Sequence, residues 1–99
     1  MLKGGFVYIL TNKHHTTLYT GVTSNIVSRI IKHKEKQYPR SFTSRYNLFK
    51  LVYYRLFDSI VAAITEEKRI KGGSRKQKIK LIESINPNWR DMTEDFDDW

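Results

Sequence analysis

Five side chains in this 99-residue sequence could act on one substrate: Tyr8, Tyr19, Arg29, His33 and Glu67. Arg29 and His33 are four apart, so on a helix they share a face, and they fall just beside an apolar stripe containing Ile26 and Ile30. An arginine fork matches a phosphate, and a neutral histidine accepts a proton near pH 7. Glu67 falls close to the centre of a second apolar stripe, formed by Ile60, Ala63, Ile64 and Ile70, with Glu66 towards its edge. A carboxylate on a core-facing stripe is costly unless a cation or several donors satisfy it. The cation is either an internal partner such as Arg29 or a hard divalent ion, because Mg2+ takes one or two protein carboxylates and completes its shell with water and phosphate oxygens. Tyr8 and Tyr19 stand in two strand-like runs, where tyrosine more often packs than reacts. Together the five supply what phosphodiester hydrolysis requires: a base for water, a cation, and a guanidinium for developing negative charge.

Positioning these groups is the work of six elements. Phe6 to Thr11 (FVYILT) is apolar on both faces and reads as a strand covered on both sides. The polar turn Asn12-Lys13-His14-His15 leads into a second strand, Thr17 to Val22, and so short a connection predicts an antiparallel hairpin. Thr23-Ser24-Asn25 has the chemistry of a helix N-cap, and the helix is expected from about Asn25 to Lys36, with Pro39 barring its continuation. A third strand, Leu48 to Phe57, is rich in aromatic and branched residues. Asp58-Ser59 opens a second helix that stops at Gly72-Gly73, and Ser74 opens a third, RKQKIKLIESI, ended by Pro87. The order β-β-α-β-α-α predicts an α+β fold, a three-stranded sheet with helices covering it. Residues 1–92 form the domain, and 93–99 an acidic tail expected to be poorly ordered unless Trp89, Phe96 and Trp99 dock it.

Charge narrows the partners. Five of the ten acids lie in the last nine residues, so residues 1–90 carry 18 basic side chains against 5 acidic ones, a net charge of +13. Such a body suits a polyanion, and Arg40, Arg45, Tyr46, Lys71, Arg75 and Lys76 are the expected nucleic-acid contacts. The absence of cysteine removes thiolate metal sites and thiol nucleophiles. Adjacent His14 and His15 seldom converge on one ion, so zinc is not expected. No segment approaches the roughly 18 apolar residues of a membrane span, which places the chain in the cytoplasm by default, without a membrane partner.

These residues resemble the GIY-YIG nuclease superfamily, in particular its small single-domain bacterial members, and are similar to the N-terminal nuclease domain of the excinuclease ABC C subunit. Phe6-Val7-Tyr8 stands at the first signature triplet and Tyr19-Thr20-Gly21 at the second. Arg29, eight residues after Gly21, matches the family arginine, and His33 the residue four further on. AITEEKRIKGGSRKQK resembles the segment with the metal-binding glutamate, its alignment on Ala63 selecting Glu67 over Glu66. INPNWRDM resembles the ending of the small members. The first triplet begins with Phe6 in place of glycine, Val22 stands where repair nucleases carry lysine, Arg55 stands where small relatives often have an acid, and the asparagine that follows the glutamate in repair nucleases has no clear counterpart.

The resemblance implies an antiparallel three-stranded sheet and cleavage of DNA by a site with one divalent ion, Mg2+ or Mn2+. Glu67 would hold the ion, Arg29 would steady the phosphate, Tyr8 or Tyr19 would be general base for water, and His33 would deprotonate or orient that tyrosine. The expected activity is that of a monomeric endonuclease of DNA repair or recombination, needing no small-molecule cofactor beyond the metal. The alternative is a nucleic-acid-binding module that keeps the scaffold and has lost the chemistry.

Overall fold

In the computed structural model, residues 4–34 and 45–96 are described, residues 33 and 34 by their backbone alone. The strands are β1 (Gly5–Thr11), β2 (Leu18–Thr23) and β3 (Lys50–Phe57), and the helices α1 (Ile26–Lys34), α2 (Ile60–Lys71) and α3 (Arg75–Ile85), with a 3-10 turn over Met92–Phe96. The sheet order is β2-β1-β3 and both pairings are antiparallel. The α+β architecture and its β-β-α-β-α-α order are those expected from the apolar runs and caps.

β1 is central because its sequence tolerates no water on either side: all seven of its residues are buried. Phe6, Tyr8 and Leu10 face Ile26 and Ile30 of α1, together with Leu48, Leu51, Met92 and Phe96. Val7 and Ile9, pointing the other way, meet Val52, Tyr53, Ala63 and Ile70 of α2, Ile82 of α3, and Trp89. α2 lies directly on β1 at Gly5, where an added Cβ would stand 2.7 Å from Ile60 Cδ1 and 2.9 Å from Ala63 Cβ. Each helix begins on a side-chain cap. Asn25 Oδ1 accepts from Ser28 N at 3.0 Å, Ser59 Oγ from Ala62 N at 3.1 Å, and Ser74 forms a capping box with Gln77.

The sheet carries one irregularity, and a helix end repairs it. Ile9 pairs with Tyr53 and Leu10 with Leu51, so Val52 is the extra residue of a bulge in β3. Buried Asn86, at the end of α3, donates from Nδ2 to Val52 O at 3.1 Å and to Arg90 O at 2.9 Å, while its Oδ1 accepts from Arg90 N at 3.1 Å. Asn86→Ala removes all three bonds and leaves the Val52 carbonyl short of a donor. The expected loss is about 1–3 kcal/mol of stability, read by denaturant unfolding.

Two expectations need correction. Ile64 does not complete the buried stripe of α2: Ala63 and Ile70 are buried, but Ile64 is 37% exposed. The helix meets the sheet along a narrower strip than its apolar content suggests. The acidic segment is also not free over Met92–Phe96. Met92 and Phe96, four apart, are buried, the Phe96 ring lies 4.8 Å from that of Tyr54, and Tyr54 donates its hydroxyl to Asp95 Oδ2 at 3.0 Å. Arg90 pairs with Glu94 and Asp95, each at 3.0 Å, so the acids that suggested disorder are held by a neighbouring cation. Trp99 lies outside the described residues.

Candidate functional site

The hairpin brings the two signature tyrosines together. Tyr8 pairs with Gly21 and Leu10 with Tyr19, which sets the Tyr8 and Tyr19 rings on one face with centroids 6.4 Å apart and planes inclined by 47°. Tyr8 is only 1% exposed, its ring lying across Gly21. A Cβ at Gly21 would stand 2.5 Å from both Cζ and the hydroxyl of Tyr8, so only glycine leaves the ring its place.

Two charged residues reach this pair from the helices. Arg29, on the exposed side of α1, hydrogen-bonds the Tyr8 hydroxyl, and Glu67 on α2 is near enough for its charge to act there. Burial raises the Tyr8 pKa above its ordinary value, and the neighbouring Tyr19 and Glu67 add to that rise, while the charge and hydrogen bond of Arg29 oppose it. In the free protein Tyr8 is therefore protonated, its oxygen accepting from Arg29. Tyr8, Tyr19, Arg29 and Glu67, from four elements, form one neighbourhood. His33 belongs to α1, one turn beyond Arg29, and its side chain lies outside the described residues.

The two adjacent glutamates differ in what already holds them. Glu66 accepts two bonds from the Arg69 guanidinium, at 2.6 and 2.7 Å, and this pairing outweighs burial to lower its pKa. Glu67 has a single ion pair among the described residues, with Lys71 Nζ at 3.5 Å, and its side chain is 14% exposed. The internal partner is thus Lys71, in place of the expected Arg29. A carboxylate with one loose partner, beside an arginine and a tyrosine, fits a Mg2+ or Mn2+ ion that draws its other ligands from phosphate and water. It does not fit an all-protein cage: no cluster of three or more His, Cys, Asp or Glu occurs among the described residues.

The expected nucleic-acid contacts disperse. Arg45 and Tyr46 are exposed ahead of β3, and Lys76 is exposed on α3. Lys71 is seated against Glu67, and Arg75 donates to the His15 carbonyl at 2.7 Å. Arg40 lies outside the described residues. Sequence reasoning found no role for His15, which proves to be a packing residue in a left-handed turn (φ 58°). Its ring stacks on Trp89 at 4.6 Å and its Nε2 accepts from Lys50 Nζ at 2.9 Å.

That acceptor role requires a neutral ring, and burial, then the charges of Lys50 and His14, lower the His15 pKa below its ordinary 6.5. The unfolded chain binds this proton more tightly than the folded one. The contribution of His15 is therefore complete above its unfolded pKa and is lost as pH falls towards the depressed folded value. The melting temperature is expected to drop between about pH 7.5 and about pH 5.5, and to drop less in His15→Gln.

Comparison with known proteins places the chain in a family and agrees with its fold. A family model described as the GIY-YIG catalytic domain matches residues 4–80. A UPF0213 protein of Syntrophus aciditrophicus is 38% identical over 86 residues, covering 87% of this chain and 97% of that one. A UPF0213 protein of Staphylococcus saprophyticus is 39% identical over 77 residues, covering 78% and 92%. The solution NMR structure of a UPF0213 protein from Bacillus halodurans superposes with a TM-score of 0.58 at 30% identity, covering 92% of this chain and 95% of that one. No helix among the described residues is long and apolar enough to cross a membrane.

Proposed function

The chain belongs to the GIY-YIG nuclease family, and from that premise we propose that it is an endonuclease hydrolysing DNA phosphodiester bonds with Mg2+ or Mn2+. The observation that carries this reading is the meeting of Tyr8, Arg29 and Glu67 beside Gly21. A pure binding surface has no use for a half-buried, loosely paired carboxylate amid basic residues.

Glu67 would hold the ion, whose chemistry when bound is to polarise the scissile phosphate and to neutralise developing negative charge. Arg29, an exposed residue of α1, binds a non-bridging phosphate oxygen and keeps the phosphorus in line with the attacking water. Tyr8 and Tyr19 orient that water, and whichever is general base must pass its proton on, the role we assign to His33. Arg29 already opposes the effect of burial on the Tyr8 hydroxyl. Neutralising the charge of Glu67 would remove another influence that keeps the Tyr8 proton in place. We further infer a monomeric cytoplasmic protein acting in DNA repair or recombination.

The test is cleavage of end-labelled single-stranded, duplex and branched DNA with Mg2+ or with chelator. Products that need the cation are expected on at least one substrate, and none on any of them would sink the proposal. The position of Lys71 favours a second reading. Its ammonium gives Glu67 a partner, at 3.5 Å, without a metal, as expected of a module that binds nucleic acid and leaves it intact, with binding that persists in chelator and weakens steeply with salt.

A further inference from the structure

One basic concavity lies apart from the tyrosine pair. Between the C-terminal end of α2 and α3 runs a groove of about 640 Å³, lined by Lys68, Arg69, Lys78 and Lys80 with Ile70 and Leu81 among them. Arg69 is neutralised by Glu66, but Lys68, Lys78 and Lys80 enter no ion pair among the described residues. The groove borders the helix that carries Glu67: Lys68, the next residue of α2, lines it and projects about 100° further round the same helix.

The basic residues of α3 are also placed against the physics of a helix. Arg75, Lys76 and Lys78 occupy or adjoin the first turn, which holds no acid. The helix dipole is positive there and repels cations. Of these, Lys78 lines the groove with Lys68 and Lys80, and like charges gathered there destabilise the free protein and are relieved by a bound anion. Because the lysines stand on two helices with apolar side chains between them, an extended polyanion with alternating charged and apolar parts suits the groove better than one small phosphate.

We propose that this groove binds the phosphate backbone of a nucleic-acid strand as it leaves the Tyr8, Arg29 and Glu67 site. The identity of the polyanion rests on the nucleic-acid reading above, but binding in the groove does not depend on cleavage. The strand crosses α2 between Glu67 and the groove, so the protein holds its substrate beyond the scissile bond as well as at it.

Binding of a fluorescent single-stranded oligonucleotide in chelator, titrated over salt, tests the groove. Lys78→Gln/Lys80→Gln is expected to lower the slope of log K against log salt by about 1.4, two phosphate contacts at roughly 0.7 each, with an unchanged circular dichroism spectrum. Because the chain has no cysteine, Ser84→Cys, which lines the groove, can carry a single photoreactive group. It should crosslink the oligonucleotide far more than the same group at Lys13→Cys in the β1–β2 turn. An unchanged slope, or equal crosslinking from both positions, overturns the proposal. A protein that passes these tests and cleaves nothing refutes the hydrolase reading and leaves the groove standing; one that cleaves with an unchanged slope refutes the groove alone.

Discussion

Glu67→Gln is expected to abolish cation-dependent cleavage, by about 10³-fold or more, while leaving the fold and the affinity for DNA in chelator near those of the parent. The size follows from losing a carboxylate that would anchor the cation, an effect of several kcal/mol in a transition state. The fold survives because the one ion pair of Glu67 among the described residues is with Lys71, at 3.5 Å on a half-exposed lysine. Such a pair contributes under about 1 kcal/mol. Glu66→Gln is the matched control: it breaks the two-bond pairing with Arg69 and should leave cleavage intact. Equal activity in Glu67→Gln and the parent would remove Glu67 from the chemistry and favour the binding module.

Gly21→Ala should be nearly as damaging, for a steric reason. The new methyl would stand 2.5 Å from Cζ and the hydroxyl of Tyr8, and Tyr8 cannot swing aside into solvent because it is buried beneath α1. Overpacking of this kind costs about 1–3 kcal/mol of stability. Displacing a catalytic hydroxyl by about 1 Å costs on the order of 10² in rate. Melting and single-turnover cleavage measured together would show both losses. Val22→Ala, whose side chain points to the opposite face of the sheet, should retain most of the activity. Full activity in Gly21→Ala would mean that the Tyr8 ring has no required position.

How much of this was legible beforehand depended on whether the determining contact was local. FVYILT announces a strand covered on both faces, and Asn25, Ser59 and Ser74 announce helix starts, because alternation and capping act within a few residues. The site was legible as a set of residue types, since Arg29 and Glu67 each stood out against an apolar stripe. The partner of Glu67 was not, because Arg29 and Lys71 are both plausible cations until the packing of α2 is known. Asn86 was given no role of its own; its bond to Val52 spans 34 residues and depends on a bulge that no local pattern marks. The docking of Met92–Phe96 was open in the sequence, through Trp89, Phe96 and Trp99, but composition weighed against it. The acids suggested a solvated tail, while the two apolar residues that seat the segment were too few to form a periodic signal.

The seating of Phe96 has a consequence for the order in which the protein is made. Tyr8 belongs to the cluster that Met92 and Phe96 complete, so β1, which is made before the 3-10 turn, stays incompletely covered until that turn has been synthesised. Chains emerge at about 5–20 residues per second, which leaves several seconds during which the sheet exists without its last wall. Under the proposed function, a nascent chain of this kind is a poor nuclease. Tyr8 gains its full cover only once the acidic segment has closed the core behind it, and under the proposed function a truncated product that lacks Phe96 is expected to cleave DNA poorly.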